Sequence, residues 1–377
     1  MTASPDTLLD RTALAARLDA VIDQAVAESR IVGAVVMVAE HGTIAYARAA
    51  GYADREAGTP AREDTIFRLA SVTKPMVAVT ALALAEEGII AIDDPVTRFL
   101  PAFRPKLADG SEPVITLRHL LTHTSGLIYG YDPAAGIHEG LAGPRISLAE
   151  NIARIGAAPL AFAPGSKFHY SVAIDVLGGV LEEATGARLQ DLVATKVTGP
   201  LGLADTEFHV SKPERLAIAY GDGLDGAVRM GEPHVVANAE GNVTFSPGRA
   251  FDREAFASGG AGMVGSAPDF LRFLEALRSG GAPILRPESL TLLSENAIGG
   301  FDTGVLGRGF SLGWSITDDP AASGAPVSPG TWAWGGIYGH SWFVDPARAL
   351  SVVSFSNTAL AGVGGVYPTA IRDAVYG

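Results

Sequence analysis

The strongest constraint on the fold of this chain is that its β-strand patterns lie near the two ends of the sequence. Residues 31–40 and 43–48 are rich in β-branched side chains and flank His41-Gly42, which predicts a β-hairpin. Four further strand patterns lie at 310–317, 331–335, 339–344 and 349–356. The patterns between these two regions are mostly helical. This order favours one antiparallel sheet that is built from both chain ends, with helices packed against it.

Helical patterns complete the predicted α+β architecture. Amphipathic segments at 8–30 and 366–375 are expected to pack against the sheet. We expect residues 1–75 and 259–377 to form a discontinuous sheet domain. Residues 76–258 are expected to form a mainly helical domain, and the active site is expected between the two.

Composition excludes several classes of function. The chain has 377 residues, of which 47% are hydrophobic and 18% are charged, so it is neither a disordered chain nor a coiled coil. Its net charge of −13 disfavours nucleic acid and anionic membranes as partners. The absence of cysteine excludes disulfides, thiolate nucleophiles and cysteine-ligated metals.

The sequence gives no signal for membrane insertion, export or a cofactor. Its first residues lack a basic segment followed by an apolar run, and no stretch approaches the ~18 uninterrupted apolar residues of a membrane span. The histidines show no metal-binding spacing such as His-Glu-x-x-His. We therefore expect a cytoplasmic protein that acts on a small molecule without a metal or an organic cofactor.

Ser71 and Lys74 form a Ser-x-x-Lys motif at the start of a long helical pattern. Residues 76–88 are rich in alanine and leucine and end at Gly88, which predicts a helix. Because positions three apart share a helix face, the Lys74 amine is expected near the Ser71 hydroxyl. Pro75 is tolerated in a first helical turn. Taken alone the motif is a weak signal, since matches of four residues arise by chance.

Three other motifs accompany this one along the chain. They are Leu121-Thr122-His123-Thr124-Ser125-Gly126-Leu127, Tyr170-Ser171-Val172 and Trp334-Gly335-Gly336. Together with Ser71 and Lys74 they resemble the serine β-lactamase and penicillin-binding-protein superfamily. The resemblance is strongest to the class C branch and to its esterase relatives, the family VIII carboxylesterases, and it covers nearly the whole chain.

The resemblance implies that Ser71 is the nucleophile of an acyl-enzyme mechanism. A serine hydroxyl is a poor nucleophile until a base removes its proton. Lys74 and Tyr170 are implied to share the base and acid roles, because a neutral amine or a phenolate can accept that proton.

The same resemblance assigns the opposite wall of the site. Backbone N–H groups of Ser71 and Ile337 are implied to form the oxyanion hole. Trp334, Gly335 and Gly336 are expected to bind substrate, since the two glycines let it lie close to the strand edge.

Two departures from the lactam-cleaving members favour esters as substrates. Those members carry Tyr-x-Asn, whereas the third position here is Val172, which cannot form a side-chain hydrogen bond. They also carry Lys-Thr-Gly, whereas the uncharged Trp334-Gly335-Gly336 stands here. A site without those polar groups favours neutral acyl substrates. We therefore predict a serine carboxylesterase, with acyl transfer to an alcohol as a variant of the same reaction.

Two alternatives stay open at this point. A β-lactamase, an amidase or a D-aminopeptidase-type hydrolase would use the same serine. A non-enzymatic scaffold of the same fold is the second alternative, although the joint presence of Ser71, Lys74 and Tyr170 argues against it.

Other motifs and residues of the chain are also candidates for a nucleophile, a nucleotide-binding loop or a substrate contact. Ser311 lies in a Gly-x-Ser-x-Gly sequence, but a strand pattern follows it instead of the helix that a nucleophile elbow requires. Residues 260–265 match Gly-x-Gly-x-x-Gly without a βαβ unit. His340, just after Trp334-Gly335-Gly336, is a candidate for substrate contact, whereas His123 is expected to brace a turn. The acyl pocket is expected from residues 128–146 and 204–258, with Tyr129, Tyr131 and Phe168 as candidate wall residues.

Overall fold

An eight-stranded antiparallel sheet dominates the structure, a computed structural model that describes residues 8–223, 226–238 and 241–377. The strands, numbered in chain order, are β1 Gly33–Glu40, β2 Thr43–Asp54, β3 Thr59–Pro60, β4 Ile66–Arg68, β5 Tyr220–Gly221, β6 Val228–Arg229, β7 His234–Asn238, β8 Gly241–Phe245, β9 Val264–Ser266, β10 Arg308–Phe310, β11 Ser315–Thr317, β12 Thr331–Gly336, β13 His340–Asp345 and β14 Leu350–Ser356. The order in the large sheet is β10-β11-β12-β13-β14-β1-β2-β3. The first hairpin therefore pairs with the last strand of the chain, as predicted.

Eleven α-helices occur in the described residues. They are α1 Arg11–Ala27, α2 Thr73–Glu86, α3 Leu117–Leu121, α4 Leu148–Ala157, α5 Ala173–Thr185, α6 Leu189–Val193, α7 Gly199–Leu201, α8 Ala267–Arg278, α9 Pro287–Ser294, α10 Pro320–Ser323 and α11 Val366–Tyr376. None of these helices is both long and apolar enough to cross a membrane.

Helices cover both faces of the sheet. On one face, α1 and α11 bury Leu14, Leu18 and Ile371 against strand residues that include Val36 and Val352. On the other face, α2 and α8 share a larger cluster with β1 and β14. All eight residues of β1 are buried, which explains its almost continuous apolar sequence. The α+β prediction is confirmed.

Local capping fixes several helix starts that the sequence predicts. The Thr116 side chain accepts the backbone N–H of His119, and His119 in turn accepts the N–H of Thr116, so the two residues form a capping box for α3. Ser147 accepts the N–H of Glu150 at the start of α4. Gly186, with φ of 73°, ends α5 in the left-handed conformation that favours glycine.

The segment 310–317 differs from its prediction as one continuous strand. It is divided between β10 and β11, and the connecting residues form a tight turn around Ser311. The Ser311 hydroxyl accepts the N–H groups of Gly313 and Trp314 and donates to the Trp314 carbonyl. Strand, turn and strand replace the strand, turn and helix of a nucleophile elbow, so Ser311 is a structural residue.

One continuous hydrophobic cluster joins the sheet to the helical middle of the chain. It contains Val35 of β1, Leu82 of α2 and Val176 of α5. The division into a sheet domain (1–75 and 259–377) and a helical domain (76–258) stays a prediction. Two small two-stranded ribbons, β5–β6 and β7–β8, lie within residues 204–258, a segment for which no detailed prediction is made from the sequence.

Candidate active site

Ser71 lies in a single 3₁₀ turn, Ala70–Val72, between β4 and α2. The sequence predicts it at the head of the helix itself, whereas α2 begins two residues later at Thr73. Ala70 has φ of 45°, a left-handed conformation that costs energy for a residue with a Cβ. The Leu69 N–H donates to the Met263 carbonyl and helps to hold the turn in place. Ser71 is thus presented by a strained, well-anchored backbone.

Lys74 is buried at the first turn of α2, and its amine nitrogen lies within hydrogen-bond distance of three oxygen atoms. Its Nζ lies 3.1 Å from the Ser71 Oγ, 3.1 Å from the Tyr129 hydroxyl oxygen and 2.8 Å from the Gly260 carbonyl oxygen. These three contacts fix the position of the amine. The amine is therefore within proton-transfer distance of the serine.

Tyr129 is a hydrogen-bond partner of Lys74. From the sequence, it was expected only as a candidate wall residue of the acyl pocket. Besides the hydrogen bond, the amine lies 5.6 Å from the Tyr129 ring centroid. Burial, with the nearby Tyr170, raises the pKa of the Tyr129 phenol well above its usual value. Tyr129 is therefore a neutral hydroxyl that accepts from Lys74, and its position in an irregular loop gave no periodic signal to find it.

Tyr170 lies beside the same amine, with its ring centroid 4.6 Å from the Lys74 Nζ. Its ring packs against Trp334 at 5.0 Å and against His123 at 4.7 Å between centroids. The Tyr170 hydroxyl is buried and has no hydrogen-bond partner among the described residues. An unpaired buried hydroxyl in a cleft is a group available to substrate or to the serine after a small movement.

His123 braces the segment that carries Tyr170. The Ser171 backbone N–H lies 3.3 Å from the His123 Nδ1, which accepts it. Burial lowers the pKa of His123 well below its usual value, and the Lys74 charge adds to the effect, so the ring is neutral. Sequence reasoning expected His123 to brace its own turn. In the structure its ring supports the backbone next to Tyr170, and the bracing of its own turn stays a prediction.

Asp175 is a second residue that sequence reasoning did not identify. This fully buried carboxylate accepts the Ser258 hydroxyl at 2.6 Å and the Gly260 N–H at 3.2 Å. Burial raises the pKa of Asp175, while its hydrogen bond to Ser258 and the charge of Lys74 oppose that rise. Because the Gly260 carbonyl accepts from Lys74, Asp175 orients one of the three lysine acceptors. An acidic residue in the apolar segment Ala173–Thr185 was the available signal.

The end of β12 forms the wall opposite the serine. Trp334, Gly335 and Ile337 line the same cavity as Ser71. The Ile337 N–H has no acceptor among the described residues, in keeping with the predicted role in an oxyanion hole. That role stays a prediction.

Gly336 and His340 do not lie where the sequence placed them. Both are buried, and neither lines the cavity. The His340 Nε2 donates to the Arg68 carbonyl at 2.7 Å, and its ring packs on Phe67 and Phe355. Burial lowers the pKa of His340 to about 4. The expectation that His340 contacts substrate is therefore corrected to a structural role.

We expect Gly336→Ala to destabilise the protein, since a Cβ at this position would overlap the Leu69 carbonyl oxygen. Leu69 leads into the serine turn, so the strand end and that turn pack backbone to backbone. The free energy of unfolding should fall by about 1–3 kcal/mol, measured by urea unfolding. The exposed Gly300 has open space around it, so Gly300→Ala should leave stability nearly unchanged. Equal effects of the two substitutions would contradict this packing argument.

A cavity of 1770 Å³ opens above Ser71. Of the two segments expected to form it, residues 128–146 supply much of the wall, including Tyr129 and Tyr131, and residues 204–258 contribute 241–244. Phe168, the third candidate aromatic, also lines it. Within the described residues, no cluster of His, Cys, Asp and Glu has the arrangement of a metal site.

Fold and site together define a class of protein: α+β enzymes with a serine and a lysine three residues apart where a strand meets a helix. The chain belongs to the Beta-lactamase family, whose family model matches residues 18–376. This result confirms the resemblance given by the sequence motifs.

Individual relatives place the chain near esterases. It is 52% identical over 380 residues to Esterase EstB of Burkholderia gladioli, an alignment that covers 98% of this chain and 96% of EstB. The solved structure of "EstCE1, a hydrolase with promiscuous acyltransferase activity" is similar, with a TM-score of 0.95 and 42% identity over 97% of this chain and 99% of that one. A Monacolin J acid methylbutanoyltransferase of Aspergillus terreus is 27% identical, with 88% of each chain covered.

Proposed function

We propose that this protein is a serine carboxylesterase that hydrolyses small esters through an acyl-enzyme on Ser71. The observation that carries the proposal is the Lys74 amine 3.1 Å from the Ser71 Oγ, inside a cavity faced by the uncharged Trp334-Gly335 strand end. The esterase relatives at 52% and 42% identity support the same reaction class.

In the first step, the Ser71 Oγ attacks the ester carbonyl carbon as the hydroxyl proton moves to the Lys74 amine, which acts as the base in its deprotonated form. The tetrahedral oxygen is held by the N–H groups of Ser71 and Ile337. The C–O bond to the alcohol then breaks, and the proton passes by way of Tyr170 to the leaving oxygen. A water molecule attacks the acyl-enzyme through the same proton path in reverse, releasing the acid and restoring Ser71.

Acyl transfer to an alcohol is a second activity of the same intermediate. The aromatic wall of Tyr129, Tyr170 and Trp334 offers an apolar surface on which an alcohol can compete with water. EstCE1 is known as a hydrolase with promiscuous acyltransferase activity and the Aspergillus terreus relative as a methylbutanoyltransferase, which favours testing acyl transfer here.

The location of the protein in the cytoplasm also stays a prediction. Fractionation of the native host would check it.

The test of the proposed function is a comparison of bond types on the purified protein. We expect p-nitrophenyl butyrate to be hydrolysed with kcat/KM at least about 100-fold above that for a p-nitroanilide or a chromogenic cephalosporin. The physical reason is that the strand end supplies no cation for a lactam carboxylate, and Val172 supplies no amide.

Each of the other possible outcomes favours one of the alternative functions that the sequence leaves open. Faster cleavage of the anilide or the lactam would favour the amidase, D-aminopeptidase-type or β-lactamase alternative. Absence of turnover with all three substrates would favour the non-enzymatic scaffold. Product analysis in the presence of a primary alcohol, by mass spectrometry of the new ester, measures the transfer activity.

A further inference from the structure

Arg308 is a partly buried cation for which the described residues provide no partner. Its Nε is buried without a hydrogen bond, and within the described parts of the chain its side chain makes no ion pair. Burial lowers the pKa of Arg308, and the positive charge of Arg372 adds to this effect. A buried guanidinium nitrogen without a hydrogen-bond partner is costly, so a chain that keeps one needs a compensating role for it.

Arg308 starts the edge strand β10, on the sheet face that α11 covers. Its cross-strand partner is Thr317, and Thr317 pairs in turn with Thr331. Residues that pair across neighbouring strands lie on the same face of the sheet, so Arg308, Thr317 and Thr331 share one face. Side chains two apart in a strand also share a face, and the register of β12 with β13 therefore places Phe343 on it too. Phe343 belongs to the apolar cluster that α1 and α11 form with the sheet.

The cavity above Ser71 extends onto this face. We call this extension the outer branch, and its lining includes Arg308, Thr317, Val327, Ala333, Pro368 and Arg372. It therefore combines an apolar wall from strand and helix with two guanidinium groups. The structure joins this branch to the space around Ser71 in a single cavity.

The charges around the outer branch leave one arginine unbalanced. The Arg372 guanidinium donates to the adjacent Asp373 at 2.7 and 2.9 Å. Asp302 also lines the cavity, and its Oδ1 accepts the N–H of Gly304. Among the described residues no carboxylate contacts Arg308, although the chain carries 41 acidic residues against 28 lysines and arginines. Arg308 is therefore the guanidinium of the outer branch that no described carboxylate balances.

We propose that the outer branch binds an organic carboxylate with an apolar body. The carboxylate would be held by Arg308 and Arg372, since a planar guanidinium matches carboxylate geometry with two parallel hydrogen bonds. The apolar body would lie along Val327 and Ala333, which line the branch and are partly exposed. This site does not depend on Ser71 chemistry, so it goes beyond the proposed esterase activity. The ligand is either a free carboxylic acid or the distal carboxylate of an ester whose other end reaches Ser71.

Binding of octanoate, measured by calorimetry, tests the site directly. We expect octanoate to bind the wild-type protein, and octanamide, which has the same body without the charge, to bind at least roughly tenfold more weakly. Arg308→Met and Arg372→Met should each weaken octanoate binding by a similar factor. Arg62, whose side chain is 79% exposed, supplies the matched control, and Arg62→Met should bind octanoate as the wild type does.

A melting curve separates a binding role from a structural one. Arg308→Met keeps the length of the side chain and removes a buried charge without a partner, so its melting temperature should equal or exceed that of the wild type. Octanoate binding that is equal in Arg308→Met and the wild type would overturn the proposal. So would a wild type that does not bind octanoate, or a lowered melting temperature that accompanies the loss of binding.

A kinetic comparison identifies the source of the carboxylate. The probes are p-nitrophenyl butyrate and the p-nitrophenyl half-ester of suberic acid. If Arg308→Met raises KM for the half-ester alone, the carboxylate belongs to the substrate. If it changes neither KM while octanoate binding is lost, the ligand is a free acid. Both results support the carboxylate site. The calorimetric test of octanoate binding does not depend on ester hydrolysis, so it can support or overturn the site even if the protein hydrolyses no ester.

Discussion

Ser71→Ala is expected to abolish ester hydrolysis, with kcat/KM for p-nitrophenyl butyrate lower by about 10⁴-fold or more. Alanine removes the Ser71 Oγ. This atom lies 3.1 Å from the Lys74 amine and is the proposed site of the acyl-enzyme. Because Ser71 is half-buried in its turn and its hydroxyl has no other role in the fold, the melting temperature should change little. Initial rates and a thermal melt on the same preparation measure both effects.

Ser311→Ala is the matched control for this substitution. Ser311 is fully buried, and its hydroxyl serves the turn between β10 and β11. Alanine there leaves the N–H groups of Gly313 and Trp314 without this acceptor, which costs about 1–3 kcal/mol of stability for each buried group left unpaired, and kcat should stay near the wild-type value. An inactive Ser311→Ala together with an active Ser71→Ala would overturn both the nucleophile and the mechanism.

A second readout identifies the covalent intermediate. Wild-type protein quenched in acid during turnover of a slow ester should gain the mass of the acyl group, and Ser71→Ala should not. Peptide mapping would place the added mass on the peptide that contains residue 71. An adduct on any other serine would contradict the acyl-enzyme on Ser71.

The large features of the fold followed from sequence because they rest on periodicity and capping. Strand patterns at both chain ends predicted the shared sheet, and β1 indeed pairs with both β2 and β14. Thr116 and Ser147 predicted helix starts through side chains that accept backbone N–H groups. The split of 310–317 was missed because an apolar run with glycines looks alike in a strand and in a tight hairpin turn.

The site was predictable where its residues are close in sequence. Ser71 and Lys74 lie three positions apart, so helical geometry alone predicted their contact, and the 3₁₀ turn at Ser71 preserves it. Tyr129 and the Gly260 carbonyl reach Lys74 from loops that lie 55 and 186 residues away in the chain. Contacts of that kind depend on packing between elements, for which one sequence carries no periodic signal.

His340 shows how closeness in sequence misleads. It follows the predicted oxyanion segment by only a few residues, which suggested a contact with substrate. However, His340 begins β13 and pairs across the sheet with Gly336 on one side and Phe355 on the other. That register turns its ring toward Phe67 and Phe355 in the core. The direction of a strand side chain depends on register, which the motif did not contain.

Lys74→Met is the second substitution with a large expected effect. Methionine keeps the length and the buried apolar stem of the lysine, but it removes the amine that contacts the Ser71 Oγ, the Tyr129 hydroxyl and the Gly260 carbonyl. Without a base beside it, the serine hydroxyl is a poor nucleophile. We expect kcat/KM for p-nitrophenyl butyrate to fall by about 10³-fold, within the range for loss of a general base.

The pH profile and a surface control make this result specific to proton transfer. Lys196 pairs with Glu87 at the surface, so Lys196→Met removes a lysine charge without touching the cavity and should leave kcat/KM within about twofold. In Lys74→Met the residual rate should rise with hydroxide concentration, since hydroxide replaces the missing base in the attack on the ester. A Lys74→Met protein that keeps wild-type kcat and the wild-type pH profile would show that another group deprotonates Ser71. Tyr170 is then the candidate, because its hydroxyl is unpaired and its ring lies beside the Lys74 amine of the wild type.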